Sequence, residues 1–108
     1  MTETPVVLRE KAVLDAEEAV AYYLSEAGEK VAAAFIDALE RAYRQIARYP
    51  ESGSQRYAHE LDLPGLRHWP LGRFPHLVFY IHLKDHVDVW RVLHGARDIP
   101  EWLHDEGA

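Results

Sequence analysis

The chain has 108 residues, a formal net charge of −6 and no cysteine, and 48% of its residues are hydrophobic. This length suits one domain over residues 1–108, and the lack of cysteine excludes disulfides, thiolate chemistry and zinc–cysteine sites. We expect a cytoplasmic protein that does not contact a membrane, because no run approaches the ~18 apolar residues of a membrane span and no signal peptide is visible.

The N-terminal half of the sequence predicts one strand and two helices. Residues 5–9 form a β-branched run that is typical of an early or edge strand. The first helix is expected to begin at Asp15, a residue type that caps helices, and to end at Gly28. The second is predicted over residues 29–49. Its apolar stripe has helical spacing and comprises Val31, Phe35, Ala38, Leu39, Ala42, Ile46 and Tyr49.

The C-terminal half predicts a loop over residues 50–65 and then three strands. The first is expected over residues 66–71, where Pro70 favours a bulge or an edge position. By alternation, the second strand places on one face Leu77, Phe79, Ile81 and Leu83, and on the other Val78, Tyr80 and His82. The third strand likewise sets on one face Val87, Val89, Arg91 and Leu93, and on the other Asp88, Trp90, Val92 and His94. A short tail that starts at Pro100 and Trp102 is expected to form one helical turn.

These elements together predict an α+β fold of order β-α-α-β-β-β. Two amphipathic helices joined at one glycine form a helical hairpin, and the combined apolar face of such a hairpin needs a sheet to cover it. We therefore expect the N-terminal helical hairpin to pack on a small antiparallel sheet.

The charge is distributed unevenly along the chain. Residues 1–62 carry twelve acidic and seven basic residues, whereas residues 63–97 carry five basic and two acidic ones. Such a basic block is either a solvated face of the sheet or a contact surface for an anionic ligand or an acidic partner. The overall acidity argues against strong non-specific binding to DNA, which needs a broad basic surface.

Five segments of the chain carry a resemblance to a known family. They comprise a helical segment with Ala-Val-Ala-Tyr-Tyr at 19–23, Ala-Gly at 27–28, Ala-Phe at 34–35 and Leu39, then Tyr-Pro-Glu-Ser-Gly at 49–53, Leu-Pro-Gly-Leu-Arg at 63–67, Arg-Phe-Pro-His-Leu-Val-Phe-Tyr at 73–80, and Val-Leu-His-Gly-Ala-Arg-Asp-Ile-Pro at 92–100. In this order they closely resemble the ParE branch of the RelE/ParE superfamily, the toxins of type II toxin–antitoxin modules. The resemblance covers about residues 5–103.

The resemblance implies both a partner and a target. The partner is a ParD-like antitoxin that forms a hetero-oligomer with the toxin, and operator DNA is contacted only through that antitoxin. The ParE branch implies inhibition of DNA gyrase by binding, with no cofactor. Two alternatives stay open, a ribosome-dependent mRNA endonuclease of the RelE type and a weakly toxic or inert homologue that mainly binds an antitoxin, because one fold hosts several actions.

A nuclease of this kind needs an acid–base pair and a cation on the phosphate, for which the candidates are Arg67, Arg91 and His94. Two features count against it. No aromatic acid lies beside His94, and strand alternation places Arg91 and His94 on opposite faces. A structural role is open for Arg91, as an inward arginine paired to a carboxylate such as Glu18 or Asp62.

Residues expected to contact the antitoxin or the target are Arg67, Arg73, Tyr80, Trp90, His94 and Arg97. Tyr80 and Trp90 are predicted to form an aromatic wall for a segment of the antitoxin. Each of the three arginines could instead be solvated or locally paired, and His94 could simply be a hydrogen-bonded residue at the end of a strand. The histidines are scattered, so no metal site is predicted.

Overall fold

The computed structural model describes residues 3–104 of the chain. Its elements follow the order β1 (Val6–Leu8), α1 (Glu10–Ala27), α2 (Glu29–Arg48), α3 (Arg56–Leu61), β2 (Leu66–Pro70), β3 (His76–His82), β4 (Val87–His94) and α4 (Ile99–His104). The expected α+β architecture, with the helical hairpin ahead of three consecutive strands, is confirmed. Two short helices add to it: α3 lies in the segment that was predicted to be a loop, and α4 lies in the tail, where one helical turn was expected.

The first helix begins at Glu10, five residues before the predicted start at Asp15. The segment from Glu10 to Leu14 consists mostly of good helix formers, and Ala12 within it is fully buried in the core. Packing therefore extends the helix toward the N-terminus. Asp15 lies inside α1, so its carboxylate does not cap the helix and is available for another contact.

The helical hairpin turns on a single residue, Gly28. Its φ of 93° is one that side chains with a Cβ rarely adopt, and its N–H donates a 3.0 Å hydrogen bond to the carbonyl of Tyr23. Most of the predicted stripe of α2 is buried. The buried residues of α2 are Ala32, Phe35, Ala38, Leu39, Ala42, Ile46 and Ala47. Tyr49, predicted at the end of the stripe, follows the helix and is 54% exposed.

The four strands form one sheet of order β1-β4-β3-β2. β2, β3 and β4 are antiparallel neighbours, whereas β1 pairs in parallel with β4 over Val87–Val89. The sheet is therefore mixed: the expected antiparallel pairing is confirmed for β2, β3 and β4, and β1 adds a parallel edge strand that was not expected. The helical hairpin, α3, β2 and β3 all lie between β1 and β4 along the chain, so the connection is long enough for these two strands to be parallel.

A β-bulge interrupts β4 in its middle. Phe79 pairs with Arg91 but Tyr80 pairs with Val89, so Trp90 is one extra residue on β4. Beyond the bulge the faces are exchanged, and Val92 packs into the same core as Val89. The predicted face assignment is correct for Leu77–Ile81 of β3, whereas on β4 it fails after residue 90.

Both faces of the sheet are covered. The helical hairpin packs on one face, over a core that includes Phe35, Ile46 and Tyr80. On the other face, α3 and α4 cover a second core that includes Phe79 and Leu103. Burial on both sides explains why β3 is continuously apolar from Leu77 to Ile81. None of the helices within residues 3–104 is long and apolar enough to cross a membrane.

Candidate functional site

Arg91 forms a buried ion pair with Asp15 of α1. Its Nε and Nη2 donate hydrogen bonds of 2.7 Å to the two carboxylate oxygens, and the Arg91 side chain is only 9% exposed. The same carboxylate accepts the N–H of Val92 at 3.0 Å, on the part of β4 that extends beyond β1. The prediction of an inward, paired arginine is therefore confirmed, but its partner is Asp15 and neither Glu18 nor Asp62. The bidentate pair occupies the guanidinium, so it is not available for a phosphate.

Residues of α1 and of the segment after β4 enclose a groove of about 510 Å³, which we call the exit groove. Its lining residues are Asp15, Glu18, Ala19, Tyr22, Tyr23, His76, Val92, Leu93, His94, Arg97 and Trp102. The bulge of β4 creates this composition, because it turns Val92 toward the helical hairpin and His94 follows on the same face two residues later. The groove thus brings together His94 and Arg97 of the predicted site.

Two histidines lie side by side at the base of the exit groove. The ring centroids of His76 and His94 are 5.3 Å apart. His94 Nδ1 accepts the N–H of Ala96 at 3.0 Å, so the neutral ring carries its proton on Nε2. Burial, together with the nearby His94 and Arg97, lowers the pKa of His76 to about 4. His76 is therefore neutral at pH 7, and its buried Nδ1 has no hydrogen-bond partner in the described part of the chain.

The outer wall of the exit groove consists of Arg97, Trp102 and Tyr22. The Arg97 guanidinium lies 4.3 Å from the ring centroid of Trp102, which is within the range of a cation–π contact. Trp102 is held there by α4, because Ile99 and Leu103 of that short helix are buried in the second core. Tyr22 is 61% exposed on α1. Sequence reasoning missed Tyr22, His76 and Trp102, since their proximity depends on how α1 and α4 pack.

Arg67 and Tyr80 both hold the loop that follows α2. Arg67 Nη1 donates to the carbonyls of Glu51 and Gly53, at 2.7 and 3.0 Å. The N–H of Gly53 in turn donates to the hydroxyl of Tyr80 at 3.0 Å. Tyr80 is fully buried in the core under the helical hairpin, so the prediction that it forms a surface for a partner was wrong.

Trp90 is also a buried residue and not part of a surface wall. Its side chain packs into the second core, its Nε1 donates to Asp88 at 3.2 Å, and the Arg9 guanidinium covers its ring at 4.8 Å. Tyr80 and Trp90 belong to the cores on opposite faces of the sheet. The predicted aromatic wall therefore does not form, because the bulge and the burial of both faces separate its members.

Arg73 lies at a second groove, on the opposite edge of the sheet. This groove, which we call the turn groove, also has a volume of about 510 Å³ and lies between α2 and the turn that joins β2 to β3. Its lining residues are Ala38, Arg41, Ala42, Gln45, Trp69, Pro70, Leu71, Gly72, Arg73 and Phe74. The predicted contact residues are thus divided, with Arg73 at the turn groove and with His94 and Arg97 at the exit groove.

The three nuclease candidates do not converge. Arg67 is on β2 and Arg91 on β4, and β3 lies between these strands, so their backbones are about 10 Å apart at two strand spacings. Arg67 is bound to backbone carbonyls and Arg91 to Asp15. Of the three, His94 lines the exit groove, and neither Arg67 nor Arg91 lines the exit groove or the turn groove. Within residues 3–104, no cluster of three or more histidine, aspartate or glutamate side chains is arranged to hold a metal ion.

The family model of the ParE toxin of type II toxin–antitoxin systems (parDE) matches residues 6–99 of this chain. The chain belongs to the ParE toxin family. It is therefore a toxin of a type II toxin–antitoxin system, and its partner is an antitoxin of the ParD kind.

Solved structures agree with this ParE fold. A chain of the structure described as the chromosomal ParDE toxin–antitoxin system from P. aeruginosa is similar, with a TM-score of 0.71 and 16% sequence identity. The match covers 85% of this chain and 96% of that one. The comparison with curated proteins found no match. At this identity the structural likeness concerns the fold, and the family model carries the assignment to ParE.

Proposed function

We propose that this ParE-family toxin inhibits DNA gyrase by binding it, and that a ParD-like antitoxin neutralises the toxin by forming a hetero-oligomer with it. One observation favours a toxin that acts by binding over one that cleaves RNA. The side chains that a phosphodiester cleavage would need are apart, and two of the three make structural contacts. General acid–base catalysis requires its groups within hydrogen-bond reach of the same substrate atoms.

The exit groove is the proposed contact with gyrase. It combines exposed aromatic surface at Tyr22 with the stacked pair of Arg97 and Trp102. A few residues carry most of the binding energy at protein interfaces, and tryptophan, tyrosine and arginine are enriched among them. Tyr22 lies on α1, whereas Arg97 and Trp102 lie in the segment around α4, so a partner that fills the groove would contact both elements.

Supercoiling and cleavage-complex assays with purified toxin and gyrase test this proposal. We expect inhibition at micromolar toxin, and we expect it to be at least ~10-fold weaker in the double variant Tyr22→Ala/Arg97→Ala, because two anchor side chains are truncated. The matched control is Tyr49→Ala/Arg48→Ala, which removes an exposed tyrosine and an exposed arginine that do not line the exit groove.

Unchanged gyrase activity, together with growth arrest in cells, would refute the gyrase target. In-frame cuts in ribosome-bound mRNA would then identify the nuclease alternative. Absence of any growth effect in cells that lack the antitoxin would identify an inert homologue.

A further inference from the structure

The turn groove presents two guanidinium groups above an apolar floor. Arg41 is an exposed residue of α2, and Arg73 is an exposed residue of the turn between β2 and β3. Neither residue makes a hydrogen bond or an ion pair with any other residue of the described range 3–104. Between them lie the apolar residues Ala38, Leu71 and Phe74. Two unpaired cations beside apolar surface favour a ligand that carries carboxylates next to apolar side chains.

The fold holds the turn groove in place without a ligand. Leu71 is 5% exposed, and its N–H donates to the carbonyl of His76 at 3.1 Å. The ring of Phe74 packs edge-on at 5.2 Å against both Tyr23 and Phe35 of the helical hairpin. The turn that carries Arg73 is thus fixed to the hairpin on one side and to β3 on the other. A preformed groove binds with little cost in ordering its own residues.

The charge around the turn groove selects the sign of its ligand. Arg48 lies two helical turns beyond Arg41, about 10 Å along the same side of α2, and extends the basic rim. No acidic residue lines the groove. Because the chain as a whole carries a net charge of −6, an acidic partner is repelled by most of the surface and attracted here.

We propose that the turn groove is the docking site for an acidic, partly apolar segment of the antitoxin, with Arg41 and Arg73 binding its carboxylates. This inference rests on the proposed function, because it takes the antitoxin to be the neutralising partner. It assigns that partner to the turn groove and leaves the exit groove to gyrase. A nucleic acid is the disfavoured ligand. Strong phosphate binding needs a broad basic surface, whereas this groove has a narrow basic rim and an apolar floor.

The test uses full-length toxin and the antitoxin co-purified from the native operon, separated and then titrated by calorimetry. The variant Arg41→Glu/Arg73→Glu is expected to weaken binding by at least ~100-fold, because two charge-assisted hydrogen bonds are lost and two repulsive contacts are gained. The control Arg44→Glu/Lys84→Glu makes the same charge change at exposed residues outside the groove, and is expected to stay within about threefold of the wild type.

A second variant tests the groove without changing charge. Gln45→Trp fills the floor with an indole and is expected to weaken antitoxin binding at least ~10-fold. Thermal unfolding by circular dichroism verifies that each variant is folded. Raising the salt from 50 to 300 mM is expected to weaken the wild-type complex more than the complex of Arg41→Glu/Arg73→Glu.

Wild-type affinity in both groove variants would overturn the proposal. A second result would also overturn it. If the wild type bound a short DNA duplex, and Arg41→Glu/Arg73→Glu lost that binding but kept its affinity for the antitoxin, the groove would be a site for nucleic acid. Since these titrations contain no gyrase, their failure is distinguishable from failure of the gyrase assay.

Discussion

His76 makes the stability of this toxin depend on pH in a window set by its lowered pKa. The side chain is 9% exposed and packs between Tyr23 and Phe35 of the helical hairpin and His94 of β4. Burial lowers the pKa of the folded state to about 4, from an ordinary value of 6.5. The unfolded chain therefore takes up a proton near pH 6.5, whereas the folded chain does so only near pH 4.

The sign and size of the effect follow from proton linkage. Because the unfolded state binds the proton more tightly, this contribution to stability is complete above pH 6.5 and is lost as the pH falls toward 4. The difference between the pKa of His76 in the folded and the unfolded state corresponds to about 3 kcal/mol of the free energy of unfolding in total. About 2 kcal/mol of this is lost between about pH 7.5 and pH 5.

Urea denaturation at these two pH values measures the effect in the wild type and in His76→Phe. Phenylalanine retains an aromatic ring among Tyr23, Phe35 and Phe74 but cannot be protonated. We expect the free energy of unfolding of the variant to fall by about 2 kcal/mol less than that of the wild type. Carboxylates that titrate in both proteins cancel in this difference.

The control is His59→Phe, which removes an exposed histidine from α3 and should leave the wild-type pH dependence unchanged. An equal loss of stability in the wild type and in His76→Phe would refute the assignment of a neutral, buried His76.

Three further substitutions test the structural contacts by thermal or urea denaturation. Gly53→Ala should cost about 1–3 kcal/mol, because the new Cβ meets the hydroxyl of Tyr80, and adding Tyr80→Phe should recover part of that loss. Arg91→Met should cost about 3–5 kcal/mol by leaving the Asp15 carboxylate buried and unpaired, and a smaller loss in Arg91→Met/Asp15→Leu would confirm the coupling. Gly28→Ala should cost about 1–3 kcal/mol, because a φ of 93° with a ψ of 172° lies in a region that only glycine adopts readily, and Gly28→Asn should cost as much; a clearly smaller loss in both variants would contradict a conformational origin.

Local patterns predicted most of the elements, and tertiary packing corrected their details. The alternation along Leu77–Ile81 and the helical spacing from Phe35 to Ile46 were sufficient to place those side chains in the core. Helix α3 was missed, since the segment after Pro50 contains breaker residues and only one turn and a half of helix. The start of α1 was predicted at Asp15 because aspartate is a residue type that often caps helices. In the structure the Asp15 carboxylate instead pairs with Arg91, 76 residues away along the chain.

The candidate site was less predictable than the fold. Arg91 was correctly expected to be paired, but its partner depends on the position of α1 relative to the edge of β4. Strand alternation predicts Tyr80 and Trp90 on one face, and the bulge at Trp90 places them on opposite faces. Arg73, His94 and Arg97 remain predicted contacts, now divided between two grooves.

By itself, the sequence determined the family, the helical hairpin and the strands, because these depend on residue type and short-range periodicity. Only the tertiary structure decided which side chains meet. A single extra residue on β4 reverses the face on which each later residue of that strand lies. The alternation of apolar and polar residues does not indicate the position of this extra residue. The composition of the exit groove and the ion pair of Asp15 with Arg91 depend on contacts between residues far apart in the chain.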